Sequence, residues 1–319
     1  MKLLFLGVRT AVLMSAAIGL MLFIGTTTQG QQPTTLKDVA YDMHPAQKLD
    51  VYLAQSDKPV PAMIYIHGGG WRGGSKNGIP NWLMEGVRDG QMSVVSVEYR
   101  FTNVAPHPAQ VNDCLRAVQF VKHNAAKWNI DPQRLGTTGG SAGGHLSLWV
   151  ALHDDAADPN SDDPIKRESS RVACSVSFAG PTDWSLLSEI EHKHPAYRQL
   201  LGYEPETAAE KMDAKAKADV SPISSVTKDD PPVMQVHGDQ DDIVPLKHAE
   251  NLHQKLKSTG VVSELVIVAG GNHGVAGAAP QVCRAGRGLP GFGADGGDRF
   301  AQLEPKCREQ QRRTHPHHS

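Results

Sequence analysis

An α/β fold, with a mainly parallel central sheet flanked by helices, follows from three features of this chain. Short β-rich runs alternate with helical patterns through its middle, the rhythm of strand–helix–strand units. Glycine-rich segments follow several of those runs, at the strand ends where such a sheet opens a crevice. And 319 residues, 39% hydrophobic and 21% charged, suit one large domain with a sizeable core, or at most two modest ones.

The elements come in this order. Lys2 and Arg9 precede an apolar run over 11–24, with small and polar residues over 26–30. That layout predicts a secretory signal peptide over 1–30, cut near Gln31, because the apolar run is shorter than the ~20 residues of a spanning helix. No cysteine lies near the cut to carry a lipid. The mature protein is therefore expected to be exported, periplasmic or extracellular, with no stable membrane anchor after cleavage. The domain proper spans 31–274. Within it, 62–66 (AMIYI) and 93–97 (SVVSV) read as strands, and 110–128 sets Val111, Leu115, Val118 and Val121 at helical spacing. A strand over 134–138 leads directly into a helix over 141–152. Strands over 172–178, 232–236 and 264–268 follow. Between the last two, Leu246, Ala249, Leu252 and Leu256 mark one face of a helix. The long, partly helical stretch 181–230 interrupts two strands and reads as a small cap insertion. From 275 to 319 only six of 45 residues are large apolar ones, arginine displaces lysine, and no period survives. Such a segment cannot offset its ordering entropy, so a poorly ordered tail is expected.

Composition removes several functions. The 32 basic and 34 acidic residues leave a net charge of −2, with no footprint for a nucleic-acid backbone. Cys114, Cys174, Cys283 and Cys307 lack the paired short spacings of a zinc site. Cys114 and Cys174 lie in apolar patterns and read as buried packing residues. Asp158-x-Asn160-x-Asp162 opens like a calcium loop, but Asp163 and Ser169 stand where glycine and glutamate are needed. The segment 154–170 reads as a solvated loop, and no metal is expected.

Two motifs carry chemistry. Gly139-Gly140-Ser141-Ala142-Gly143 sits at a strand-to-helix junction. Its G-x-S-x-G pattern arises by chance about 0.2 times in a chain of this composition, so context decides. A serine on such a tight turn points its hydroxyl into the crevice above the sheet, and the glycines remove Cβ atoms that would collide there. His67-Gly68-Gly69-Gly70-Trp71 follows another strand, and a chance His-Gly-Gly-Gly is rarer, about 0.01 per chain. Attack on an ester carbonyl concentrates negative charge on oxygen, which bare backbone N–H groups can hold. Gly69 and Gly70 are assigned as donors, with the Ala142 N–H as the third. No Lys-Ser/Thr follows the glycines, which excludes a Walker loop. Serine needs a base, and the base an orienting acid. His273, in Gly270-Gly271-Asn272-His273-Gly274, has little to pack against and reads as the base. Asp239, Asp241 and Asp242 share the preceding strand-end loop as candidate acids. His237 is expected to shape its turn by hydrogen bonding, His145 to pack behind the serine turn, and the other histidines to lie on the surface.

Together these motifs resemble the α/β-hydrolase superfamily, and within it bacterial carboxylesterases near the hormone-sensitive-lipase and feruloyl/acetyl-xylan esterase groups. The resemblance runs from about Asp38 to Gly274. It includes Leu49-Asp50-Val51-Tyr52, Glu98-Tyr99-Arg100, the run 139–146, Pro181-Thr182-Asp183 and the run 237–245. It implies the α/β-hydrolase fold, nucleophile Ser141, base His273, a covalent acyl-enzyme and no cofactor, and it selects Asp241 as the acid. Such proteins usually finish with an amphipathic helix packed on the sheet, where this chain has its unusual tail. The expected activity is that of a serine carboxylic-ester hydrolase. Neither 154–170 nor 181–230 supplies the apolar run of a lipase lid, so short acyl chains are expected. Export suits polymer-linked esters, and acetylated or feruloylated xylan is the preferred substrate by family analogy. Trp71 and Trp184 are candidates for the substrate pocket. The competing readings are an amidohydrolase with the same triad, of the prolyl-oligopeptidase or formamidase type, and a non-catalytic binding protein on the same scaffold. The sequence carries no signature of an oligomeric state.

Overall fold

In the computed structural model, which describes residues 34–188 and 194–275, eight strands form one sheet: β1 (Thr34–Ala40), β2 (Lys48–Leu53), β3 (Val60–Ile66), β4 (Ser93–Val97), β5 (Ile130–Gly140), β6 (Cys174–Phe178), β7 (Val233–Gly238) and β8 (Ser263–Val268). Their spatial order is β1-β2-β4-β3-β5-β6-β7-β8. Pairings from β4 through β8 are all parallel, while β2 runs antiparallel to both β1 and β4. This is the expected mainly parallel sheet with two antiparallel strands added at one edge.

Burial explains which strands the sequence displays. SVVSV in β4 and VMQVHG in β7 are buried throughout, as parallel strands covered on both faces must be. The edge strand β1, TTLKDVA, is mostly exposed; its polar run gives no strand pattern. The helices are α1 (Asn81–Arg88), α2 (Ala109–Asn124), α3 (Ala142–Leu152), α4 (Ala196–Leu200), α5 (Ala214–Val220) and α6 (Lys247–Thr259). The core joins Ile64, Val95 and Leu135 of the sheet to Val118 of α2 and Leu146 of α3. Among the described residues no helix is long and apolar enough to cross a membrane.

Among its described residues, the insertion between β6 and β7 holds α4, α5 and three short 3-10 turns. It is tied to α3 through side chains that donate to its backbone. The Trp149 indole donates to the Asp219 carbonyl at 2.8 Å, and Nε2 of His145 lies 2.8 Å from the Val220 carbonyl. Residues 154–170 form a loop braced by Asp155 and Asp163, the latter paired with Arg116 at 2.6 Å. Among the described residues no His, Cys, Asp and Glu side chains cluster as a metal site. Cys114 and Cys174 are buried as free thiols, and burial pushes the Cys174 thiol up to about 12. The expected signal peptide and residues 276–319 of the expected tail lie outside the described residues. Val275, which the sequence assigns to that tail, is instead buried against Val176, Ala179 and Val236.

Candidate active site

Ser141 stands alone between β5 and α3, with φ 55° and ψ −122°. A non-glycine residue held at positive φ stores strain that its surroundings must impose. Here the imposing contacts are visible: its N–H donates to the Phe178 carbonyl at 2.8 Å, and its own carbonyl accepts from the His145 N–H at 3.0 Å. A Cβ on either Gly139 or Gly143 would overlap the Ile66 carbonyl oxygen at the end of β3. The two glycines therefore let strand and helix close on β3, and that closure fixes the serine between them.

Asp241 and His273 come from the loops after β7 and β8. Those loops lie against each other: Gln240 N–H donates to the Gly271 carbonyl at 2.9 Å. Asp239, one of the alternative acids, accepts from the Gly270 N–H at 2.7 Å and so clamps the histidine loop rather than orienting the ring. Nδ1 of His273 lies 2.9 Å and 3.1 Å from the two Asp241 oxygens, and Nε2 lies 2.9 Å from Ser141 Oγ. Because the carboxylate can only accept, Nδ1 carries the proton and Nε2 presents its lone pair to the serine hydroxyl. Burial alone would raise the Asp241 carboxyl. Hydrogen bonds from His237, His273 and the Val244 N–H outweigh it and hold the group below the usual carboxylate range. The His237 Nε2 reaches the Val244 carbonyl at 2.7 Å and Asp241 at 3.4 Å. It braces the turn as expected.

The glycine loop after β3 lies beside the serine. Gly69 and Gly70 adopt φ 113° and 60°, the left-handed region that glycine enters without penalty. Among the described residues nothing accepts from either amide, and Ala142, first residue of α3, has no intrahelical acceptor for its own. All three expected donors are thus unengaged beside Ser141. The loop is braced by the residues that follow β4: His67 places Nε2 3.0 Å from Glu98 Oε1 and Nδ1 2.8 Å from the Gly68 carbonyl, and Tyr99 donates to the His67 carbonyl at 3.0 Å.

Over Ser141 and His273 opens a cavity of about 350 Å³, lined by Gly69, Gly70 and Trp71 on one side. Pro181, Ala196, Tyr197, Ile243 and Val244 give it an apolar wall, while Arg72 and His194 add polar groups. Of the two tryptophans assigned to the pocket, Trp71 lines it, but Trp184 does not. Trp184 is fully buried behind the wall, its indole donating to the Tyr197 carbonyl at 3.1 Å and its ring packed on Trp71 and His145. A large ring with one donor finds more to cover in the core than at the mouth. Arg72 follows directly on Trp71, and Ile243 and Val244 stand two and three residues after Asp241, so nearness to the motifs was the available signal for all three. His248 is another correction. Expected on the surface, it is fully buried, accepting at Nδ1 from the Thr182 and Asp183 amides at 3.2 Å.

Comparison with known proteins places this geometry. The BD-FAE family model matches residues 49–256. The Mycobacterium tuberculosis protein named "Probable carboxylic ester hydrolase LipM" is 31% identical over 211 residues, covering 64% of this chain and 48% of that protein. The chain spans about half the length of the curated relatives it matches. Among solved structures, a truncated carbohydrate esterase from gut microbiota superposes with TM-score 0.65 at 26% identity, covering 88% of this chain and 98% of that one. An acetyl ester-xyloside bifunctional hydrolase from Caldicellulosiruptor lactoaceticus gives TM-score 0.63 at 26% identity, with 84% and 87% covered.

Proposed function

The chain belongs to the BD-FAE family of α/β-hydrolases, and from that premise we propose that it is a serine carboxylic-ester hydrolase. The observation that carries the proposal is the continuous hydrogen-bonded line from Asp241 through His273 to Ser141 Oγ. Ser141 attacks the acyl carbon as His273 Nε2 takes its proton, and Asp241 stabilises the imidazolium. Gly69, Gly70 and Ala142 donate to the oxyanion, each such donor being worth on the order of 100- to 1,000-fold in rate. His273 then protonates the departing alcohol, and water repeats the sequence to free the acid and restore the serine.

The substrate we propose is a short-chain ester, first an acetyl group and next a feruloyl group on plant polysaccharide. Support comes from the modest apolar cavity and from two structural neighbours whose names specify carbohydrate esterase and acetyl ester-xyloside hydrolase. Export, read from residues 1–30, fits a polymer that cannot enter the cell. N-terminal sequencing of the protein recovered outside the cytoplasm tests that part, with Gln31 expected at or near the start. Hydrolysis of p-nitrophenyl acetate and of acetylated and feruloylated xylan, each with Ser141→Ala as control, tests the activity. Ester turnover that survives Ser141→Ala overturns the assignment; a panel in which only anilides or peptides react moves it to the amidohydrolase reading.

A further inference from the structure

Among the described residues, Arg72 is the one arginine or lysine lining the cavity, and the reaction above leaves it without a role. It is exposed at the rim, and its one hydrogen bond among the described residues runs from Nη1 to the neutral Gln199 amide oxygen at 2.7 Å. No ion pair neutralises it among the described residues. Among the described residues no Asp or Glu lines the cavity either, and Asp241 lies behind the His273 ring. Burial first, and then the charges of Arg72 and His273, hold the nearby His194 imidazole below its ordinary range. A guanidinium has five donors in a planar fork that matches a carboxylate. Gln199 occupies one nitrogen and fixes the group's position, leaving the rest of the fork for a substrate.

We propose that Arg72 is a specificity-determining residue that selects esters carrying a free carboxylate, in the alcohol or the acyl part, such as an acylated uronic-acid unit. The proposal rests on the esterase reading and adds a charge preference to it. A neutral sugar ester would gain from Arg72 only a weaker hydrogen bond to a hydroxyl.

The test compares matched pairs: 4-acetoxybenzoate with 4-acetoxybenzamide for the alcohol side, and monoethyl adipate with ethyl hexanoate for the acyl side. Each pair gives a ratio of kcat/KM, anionic over neutral. In Arg72→Gln the ratio is expected to fall about two- to fivefold on one of the two arms, the upper part of the range for an exposed charge pair, and Arg72→Lys should restore part of it. Adding about 0.5 M NaCl to the native enzyme should depress the same ratio, because screening weakens an exposed ion pair. That salt response needs no variant and decides the matter if Arg72→Gln folds poorly. Ratios on both arms that are indifferent to Arg72→Gln and to salt overturn the proposal while leaving the esterase reading intact. Failure of the native enzyme on every ester, anionic and neutral alike, would instead strike that reading.

Discussion

At the residue scale, the site depends on which carboxylate holds the histidine. Asp239 bonds a backbone amide of the histidine loop, and Asp241 bonds the ring itself. Asp241→Asn should therefore lower kcat on the order of 10⁴-fold, since an amide no longer enforces the Nδ1–H tautomer. Asp239→Asn keeps an oxygen acceptor for the Gly270 amide and should cost far less. Steady-state rates on p-nitrophenyl acetate separate the two; a larger loss in the Asp239 variant would reverse the assignment. The glycines of the serine turn differ just as sharply. An added Cβ at Gly143 meets the Ile66 and His67 carbonyl oxygens, whereas at Gly140 the nearest atom is 3.9 Å away. Gly143→Ala is expected to destabilise by about 3 kcal/mol or to prevent folding, and Gly140→Ala by under about 1 kcal/mol. Denaturant unfolding measures both.

At the element scale, His145 links three parts of the molecule. Its Nδ1 accepts from the Trp71 indole at 3.2 Å, its Nε2 reaches the Val220 carbonyl at 2.8 Å, and its ring lies on Trp184. Glycine loop, insertion and α3 thus share one buried imidazole. Burial lowers it from 6.5 to about 3, with the hydrogen bond to the Val220 carbonyl opposing and the His107 charge adding to the fall. The unfolded chain binds that proton and the native state does not between those values, so stability is full above pH 6.5 and falls as pH drops toward 3. The slope approaches roughly 1.4 kcal/mol per pH unit. His145→Gln should flatten the midpoint-against-pH curve over that window; an unchanged slope would contradict the role. Trp184, packed in the same cluster, should cost about 3–5 kcal/mol of stability on truncation to alanine.

At the scale of the whole molecule, three loops at the carboxyl ends of β3, β7 and β8 converge on the turn after β5. That convergence was legible beforehand because each chemical group stands just past a run that reads as a strand in the sequence. Ser141, Asp241 and His273 are found together for that reason, and so are Gly69 and Gly70. Contacts made across long sequence separations were not legible. Trp184 lies in an insertion whose packing depends on α3 and α4, and nothing adjacent to it in the chain says which face it takes. His248 reads as one more polar residue on α6, yet Thr182 and Asp183 bury it from 66 and 65 residues away. Strand β1 stayed hidden because an exposed edge shows no apolar alternation. The cavity also sets a scale for substrates: at about 350 Å³ it is near the lower end of ligand pockets. Activity on p-nitrophenyl esters should peak between acetyl and butyryl and fall steeply by decanoyl, which a chain-length series measures.

The central claim is that Ser141 alone is activated, and covalent labelling reads it directly. Native protein is treated with a fluorophosphonate, digested and mapped by mass spectrometry. The adduct is expected on the peptide containing Ser141, and to be lost in His273→Ala while that variant remains folded by circular dichroism. An adduct on a different residue, or labelling of Ser141 undiminished without His273, would contradict the account.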